Sequence, residues 1–298
     1  MVADNLGNQA IDNNKQGFLK RLTTARKKIP LRTVLIVPFV LQIFGTVSLV
    51  GYLSFRNSQE AVNGVVSELR NEISNRIEQH LKDYLKKPHL INHNNLLSNQ
   101  TGLMNLNNQD TVARQFWEQR QVFGVNAVYF GNTKGGYVGA EPGDTITITE
   151  NFLPGQYLYY NTNDKGLKVG NPKLGKKYFD SRTRPWYQVS ENKKGSRWSD
   201  IYTYDDGSDI AIAATRPLYN NGKFEGVLGT DISLEQINKF LNGIRVGKTG
   251  QVFILERDGL IVGSSTKEKI YYKQGNKIER LSYSYSISPL VRESIKFL

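Results

Sequence analysis

The sequence predicts an α+β protein with an N-terminal membrane-crossing helix, a long helical segment behind it, and two packed units of short antiparallel strands. Three observations carry this. A chain of 298 residues is too long for one small domain and too short for several large ones, so two packed units plus an anchor are expected. An uninterrupted apolar run lies near the N-terminus. Behind it the apolar residues recur at helical spacing, and from about Val125 they alternate. The predicted divisions are a basic N-terminus (1–32), a transmembrane helix (33–55), a long stalk helix and helical connection (56–124), a first strand-rich unit (125–240) and a second, shorter one (241–298).

Thr33 to Phe55 reads TVLIVPFVLQIFGTVSLVGYLSF, without a charged residue, between Arg32 and Arg56. At about 1.5 Å per residue the run spans roughly 34 Å, enough for a hydrocarbon core of about 30 Å. Pro38 and Gly45 are tolerated in membrane helices. The run is apolar all round rather than striped, which disfavours a soluble core helix. Arg56-Asn57-Ser58-Gln59-Glu60 offers no small-residue cleavage site, which disfavours a removed signal peptide. Lys20, Arg21, Arg26, Lys27, Lys28 and Arg32 stand before it, and such flanks stay cytoplasmic. A single-pass plasma-membrane protein is therefore expected, with its N-terminus inside and its bulk extracytoplasmic. Residues 1–19, rich in Asn, Gln, Asp and Gly, are expected to be disordered, and the basic stretch after them suits anionic lipid headgroups.

The formal net charge is +12, and residues 1–32 hold seven Lys or Arg against two Asp. The dilute remainder reads as a solvated basic surface without a nucleic-acid reading motif. Absence of cysteine removes disulfides and thiolate metal sites. His80, His89 and His93 fall in the helical segment without clustered carboxylates, so neither a metal nor a cofactor is expected. Asp205, Asp206 and Asp209 surround a Gly-containing turn and read as turn formers rather than an acid and base. With no phosphate-cradling glycine loop either, the chain is not read as an enzyme.

Val62, Val66, Leu69, Ile73, Ile77, Leu81 and Tyr84 form one apolar stripe on a long helix. Two readings stand: a stalk pairing with its twin in a parallel homodimer, or a helix packed along the strand-rich unit. Strands are expected in VNAVYFGN, GGYVGA and TITITE, then as a meander of Trp198–Tyr204, Asp209–Leu218 and Phe224–Asp231 joined by turns. A helix over Glu235–Ile244 and a hairpin of Gln251–Arg257 and Leu260–Ser264 follow.

The richest chemistry lies in Tyr178 to Tyr187, Tyr-Phe-Asp-Ser-Arg-Thr-Arg-Pro-Trp-Tyr. An Arg beside Trp and Tyr suits a planar carboxylate, because guanidinium offers paired donors and rings cover the ligand's remaining surface. Trp186 and Tyr187 also fit a plain core role. Asp231 ends a strand, but Ser233 and Gln236 already form a capping pattern for the next helix, which leaves Asp231 available to a cation. Tyr202 and Tyr204 share one face of their strand by period two.

Phe179 to Tyr187, Trp198-Ser199-Asp200-Ile201-Tyr202, Arg216-Pro217-Leu218-Tyr219 and Gly229-Thr230-Asp231-Ile232 resemble the double Cache domain of bacterial chemoreceptors, histidine kinases and nucleotide cyclases, over roughly Ser58 to Leu298. The resemblance implies two PAS-like subdomains, with ligand bound in the membrane-distal one (125–240) and a membrane-proximal one (241–298) that is short, with few elements expected after Tyr271. In amino-acid-binding members the matching Arg and Trp hold the carboxylate, while tyrosines and an Asp hold the ammonium. Arg184, Trp186, Tyr187, Tyr202 and Asp231 occupy those positions here. Tyr178 and Phe179 compete for an aromatic position before the arginine. Tyr204 stands where a further acidic residue is frequent, with Asp205 next.

The chain stops at Leu298 without a second apolar span or an output region, which reads as a truncated product, a fragment, or a sensor without its own output. The function implied is sensing of a small molecule, an amino acid first. An amine, a carboxylate or another small ligand in the same pocket, or a surface interaction module, are the alternatives.

Overall fold

The computed structural model of the protein describes residues 30–191, 193–205, 207–244, 246, 249–274 and 277–294. The basic cluster before Arg32, the expected disorder of residues 1–19, and Asp206 lie outside the described residues. The chain divides into two units, Met1–Glu72 and Ile73–Leu298.

Helix α1 runs from Leu31 to Gln100 without interruption, so the predicted transmembrane and stalk segments form one helix. Pro30 stands immediately before its first residue, where a missing N–H costs nothing. Gly102, with φ +76°, lies just past its end, a backbone conformation that glycine adopts freely. The apolar stretch has a mean hydropathy of 2.2 over 18 residues, all exposed, which is long and apolar enough to cross a membrane. In the first unit Val62, Val66 and Leu69 are exposed. In the second, Ile77, Leu81, Tyr84 and Leu85 pack against Ile232, Ile237 and Leu241, and the Tyr84 hydroxyl donates to Gln236 Oε1 at 2.6 Å. Along its lower half the stripe is thus an internal packing face. Helix α2, Gln109–Phe123, begins at Asn108, whose side chain accepts from Thr111 N, and ends at the left-handed Gly124.

Nine strands form one antiparallel sheet: β1 (Ala127–Asn132), β2 (Tyr137–Glu141), β3 (Thr145–Thr149), β4 (Gly155–Thr162), β5 (Lys168–Phe179), β6 (Arg197–Trp198), β7 (Tyr202–Thr203), β8 (Ile210–Asn220) and β9 (Lys223–Ser233). Their order is β5-β4-β3-β2-β1-β9-β8-β6, with β7 also on β8. Side chains alternate cleanly between its faces. Val128, Phe130, Val138, Ala140, Ile146 and Ile148 point to one side, where they meet Ile91 and Leu96 of α1 and Val112 and Phe116 of α2. Ala127, Tyr129, Tyr137, Tyr157, Ala213 and Val227 point to the other, together with Phe179, Trp186 and Tyr187. One face is therefore aliphatic and sealed by helices, and the other is aromatic.

One hairpin is added to the expected elements and one expected strand is corrected. The β4–β5 hairpin was not expected; β5 is almost wholly exposed, and without a buried face KVGNPKLGKKYF shows no alternation of polarity. The single strand expected over Trp198–Tyr204 is two short pairings on β8, Arg197–Trp198 and Tyr202–Thr203. The turn between β8 and β9 is as read: Asn221 (φ 49°) and Gly222 (φ 80°) are both left-handed, as a two-residue hairpin turn requires.

Helix α4, Leu234–Asn242, follows β9, after the four-residue helix α3, Pro185–Gln188. Beyond α4 come the hairpins β10–β11 (Phe253–Leu255, Ile261–Ser264) and β12–β13 (Tyr271–Gln274, Lys277–Arg280), then helix α5, Pro289–Ser294. Ile210, Leu234, Ile261, Ile270, Leu281 and Val291 form their core.

Candidate functional site

The aromatic face of the sheet holds a cavity of about 380 Å³ lined by Tyr129, Tyr137, Glu141, Tyr157, Tyr159, Arg184, Trp186, Tyr202, Tyr204, Asp205 and Asp231, together with Pro142, Gly143, Thr145 and Ser208. Ala127 and Ala213 flank Asp231 in register on the neighbouring strands. Their methyl groups leave the floor low around the carboxylate.

Asp231 is 2% exposed. Its Oδ1 accepts from the Tyr129 hydroxyl at 2.6 Å and its Oδ2 from the Tyr202 hydroxyl at 2.8 Å. Burial raises its pKa to about 7; the two tyrosine hydroxyls pull it back down and the Glu141 charge adds to the rise. Burial, reinforced by the Asp231 charge, pushes both tyrosines well above their ordinary range, so they stay protonated donors. The helix that follows does not need Asp231: Ser233 accepts from Gln236 N. In place of the reciprocal half of the expected capping box, Gln236 Oε1 accepts from the Tyr84 hydroxyl and its amide nitrogen donates to Gly124 O.

Arg184 precedes Pro185, which confines it to extended backbone, and it sits at φ −85°, ψ 143°. Its Nη2 donates to Thr203 O at 3.1 Å, its Nη1 lies 3.7 Å from Asp205 Oδ1, and its guanidinium stands 5.8 Å from the Tyr202 ring centre. Arg182, two residues earlier, turns away into a forked pair with Asp180. Trp186, on α3, tilts over Tyr129 with ring centres 4.7 Å apart. Its ring occupies the space that a Cβ on Gly131 would take.

Of the residues anticipated from the sequence, Arg184, Trp186, Tyr202, Tyr204 and Asp231 line the cavity. Tyr204 accepts from Asn126 Nδ2 at 2.5 Å, with its ring 6.2 Å from that of Tyr202. Three others stand elsewhere. Tyr178 is 72% exposed. Phe179 packs behind the cavity wall against Tyr157, ring centres 4.1 Å apart, and Tyr187 is buried with its hydroxyl on Asn132 O. Tyr129, Tyr137, Glu141, Tyr157 and Tyr159 were not anticipated. Their signal was a period-two run of aromatic or polar residues on the strand faces opposite the aliphatic ones.

Residues 57–291 match the Cache domain family. The chain belongs to that family. This is the resemblance drawn from Phe179–Tyr187 and the strands after it, and the Cache family is one of sensor domains without catalytic activity. The Cache chain is similar to the methyl-accepting chemotaxis protein PscA of Pseudomonas syringae pv. tomato, 26% identical over 84 residues, 28% of this chain and 13% of that protein. It is similar to PctB of Pseudomonas aeruginosa, 26% identical over 92 residues, 31% of this chain and 15% of that protein. The matched stretch is thus a small part of those relatives' own length. A similar solved structure is the ligand-binding domain of the Campylobacter jejuni chemoreceptor Tlp3 in complex with 4-methylisoleucine, at 16% identity and a TM-score of 0.47, covering 66% of this chain and 68% of that one.

Proposed function

We propose that this Cache protein is a membrane-anchored extracytoplasmic sensor whose cavity binds a small amino-bearing ligand, an amino acid first. One observation carries the reading: a buried carboxylate, Asp231, shares an aromatic cavity with a guanidinium, Arg184. A ligand carboxylate would take the paired N–H donors of Arg184, displacing its loose partner Asp205. The ligand ammonium would take Asp231, together with the ring faces around it. The nine-stranded unit, 125–240, is read as the distal ligand-binding subdomain and 241–298 as the proximal one.

Signalling is supported by the chemotaxis proteins among the relatives. The apolar helix at the N-terminus would hold the protein in the membrane, its basic flank inside. The exposed Val62, Val66 and Leu69 suit pairing with a second copy in a parallel homodimer. A ligand would shift the receptor between two packings only by its differential affinity for them.

Thermal unfolding of the full chain in detergent tests the reading. An amino acid at a hundredfold excess over its Kd should add about 2.7 kcal/mol of stability. Arg184→Ala and Asp231→Ala should each remove that gain. A folded protein that no amino acid stabilises refutes the assignment.

A further inference from the structure

A second cavity, of about 680 Å³, is lined by helix α4 and by the segment that leads from β11 into β12. Its size falls within the roughly 300–1,000 Å³ of small-molecule sites. Ser208, in the loop between β7 and β8, lines both this cavity and the first. The next residue joins the two. Asp209 O accepts from the backbone of Tyr204, which lines the first cavity, at 3.0 Å, and Asp209 Oδ1 accepts from the hydroxyl of Tyr271, which lines the second, at 3.3 Å.

The charged residues of the second cavity are Glu235, Lys267, Glu268 and Lys269. Both acids are engaged. Glu235 pairs with Lys239 at 3.4 Å, and the buried Glu268 accepts from Thr266 Oγ1, Ser286 Oγ and Ile287 N. Lys267 and Lys269 carry no ion pair or side-chain hydrogen bond among the described residues. Asn238 accepts from Ser264 N through Oδ1, which leaves its amide N–H groups as further donors. A single unpaired lysine is ordinary on an open surface. Two that border one cavity, on either side of a buried residue, favour negative charge there, because each ammonium offers three donors on a flexible stem.

We propose that this cavity is a second ligand site, for a small doubly charged anion. Lys267 and Lys269 take its charges, and Ile270 with the Tyr271 and Tyr272 rings covers its carbon chain. Because Ser208 lines both cavities, an occupant here bears on the wall of the first. The site stands independently of the amino-acid reading, which concerns Arg184 and Asp231.

The test is calorimetric titration of the full chain in detergent, at fixed ionic strength, with glutarate, with inorganic phosphate and with acetate as the singly charged control. Glutarate or phosphate is expected to bind saturably and at least tenfold tighter than acetate, and whichever binds tighter tells a dicarboxylate from a phosphate-bearing ligand. Lys267→Ala combined with Lys269→Ala should weaken that binding at least tenfold. Lys173→Ala combined with Lys176→Ala removes the same charge from the exposed strand β5 and should change it less than twofold. Should the first double variant fail to fold, each of its single substitutions should weaken binding at least threefold. No saturable binding of either dianion overturns the site. Binding that the Lys267 and Lys269 substitutions leave unaltered, as it would be if glutarate used Arg184, also overturns it. An equal loss in both double variants would mean attraction to the basic surface at large, and overturns it too.

Discussion

Tyr129 reaches Asp231 across paired strands, hydroxyl to carboxylate at 2.6 Å, by laying its ring over Gly229. Tyr129 and Gly229 are opposite in register, and a Cβ on Gly229 would overlap the ring. The glycine is therefore a condition for the hydrogen bond to the residue two places on. Gly229→Ala should displace the ring, lower stability by about 1–3 kcal/mol as overpacking does, and weaken ligand binding at least tenfold. Urea unfolding and calorimetry measure both, and an unchanged unfolding midpoint would show that the ring has room to move.

Tyr129→Phe separates the ring from its hydroxyl. The ring stays, Asp231 loses one donor, and stability should fall by about 1 kcal/mol. Because that hydroxyl lowers the Asp231 pKa, its removal should move the carboxyl titration above 7. The protonated carboxyl band in infrared spectra, followed against pH, reports this, and a midpoint that moves down contradicts the geometry.

The pH dependence has a definite sign. Folded Asp231 holds its proton up to about pH 7, against 3.8 ordinarily, so between those values the native state binds more protons than the unfolded chain. Stability contributed by this group is complete below about pH 4 and is lost as pH rises through 7. An ammonium ligand competes with that proton. Its affinity should weaken by up to about tenfold per pH unit below 7 and level off above. Asp231→Asn should remove this dependence from whatever ligand stabilisation survives; a wild-type affinity constant from pH 5 to 8 would mean that the cation does not use Asp231.

The sequence made the sheet around Asp231 legible because each of those strands buries one aliphatic face, which gives period two. It made Arg184 and Trp186 legible because Pro185 fixes the chain between them. The β4–β5 hairpin escaped because β5 buries almost nothing. Tyr137, Glu141 and Tyr157 escaped for a different reason: they lie far from Arg184 in sequence, and only the strand register brings them to one cavity. Tyr178 and Phe179, which the resemblance offers for an aromatic position before Arg184, lie at the end of β5, which leaves Tyr178 exposed and packs Phe179 against Tyr157.

The buried Glu268 near the C-terminus is a further point of sensitivity. Its carboxylate accepts from Thr266 Oγ1 at 2.9 Å, Ser286 Oγ at 2.6 Å and Ile287 N at 2.8 Å, tying the segment before α5 to the loop after β11. Glu268→Ala strands the buried Thr266 and Ser286 hydroxyls, and a loss of about 3 kcal/mol is expected in urea unfolding, with ligand affinity changed less than threefold. An equal loss of affinity would show that this segment is coupled to the cavity.

Asn92 connects the long helix to the strands of the site. It is fully buried on α1, donates from Nδ2 to Ala214 O at 2.8 Å and accepts from Thr230 Oγ1 at 2.8 Å. Ala214 and Thr230 are themselves a pair in the β8–β9 register. The pleat directs Thr230 to the helix and its neighbour Asp231 to the cavity, so one peptide separates the helix contact from the ligand carboxylate. Asn92→Ala should cost about 2 kcal/mol, since it leaves a buried carbonyl and hydroxyl without their partner. Thr230→Val should cost about 1 kcal/mol by itself and less in the Asn92→Ala background, because the bond it breaks is already gone there. Residues in direct contact show such coupling at about 0.5–3 kcal/mol, and four urea titrations measure it. Strict additivity would mean that Asn92 holds the helix through Ala214 alone, and that Thr230 has no part in linking the helix to Asp231.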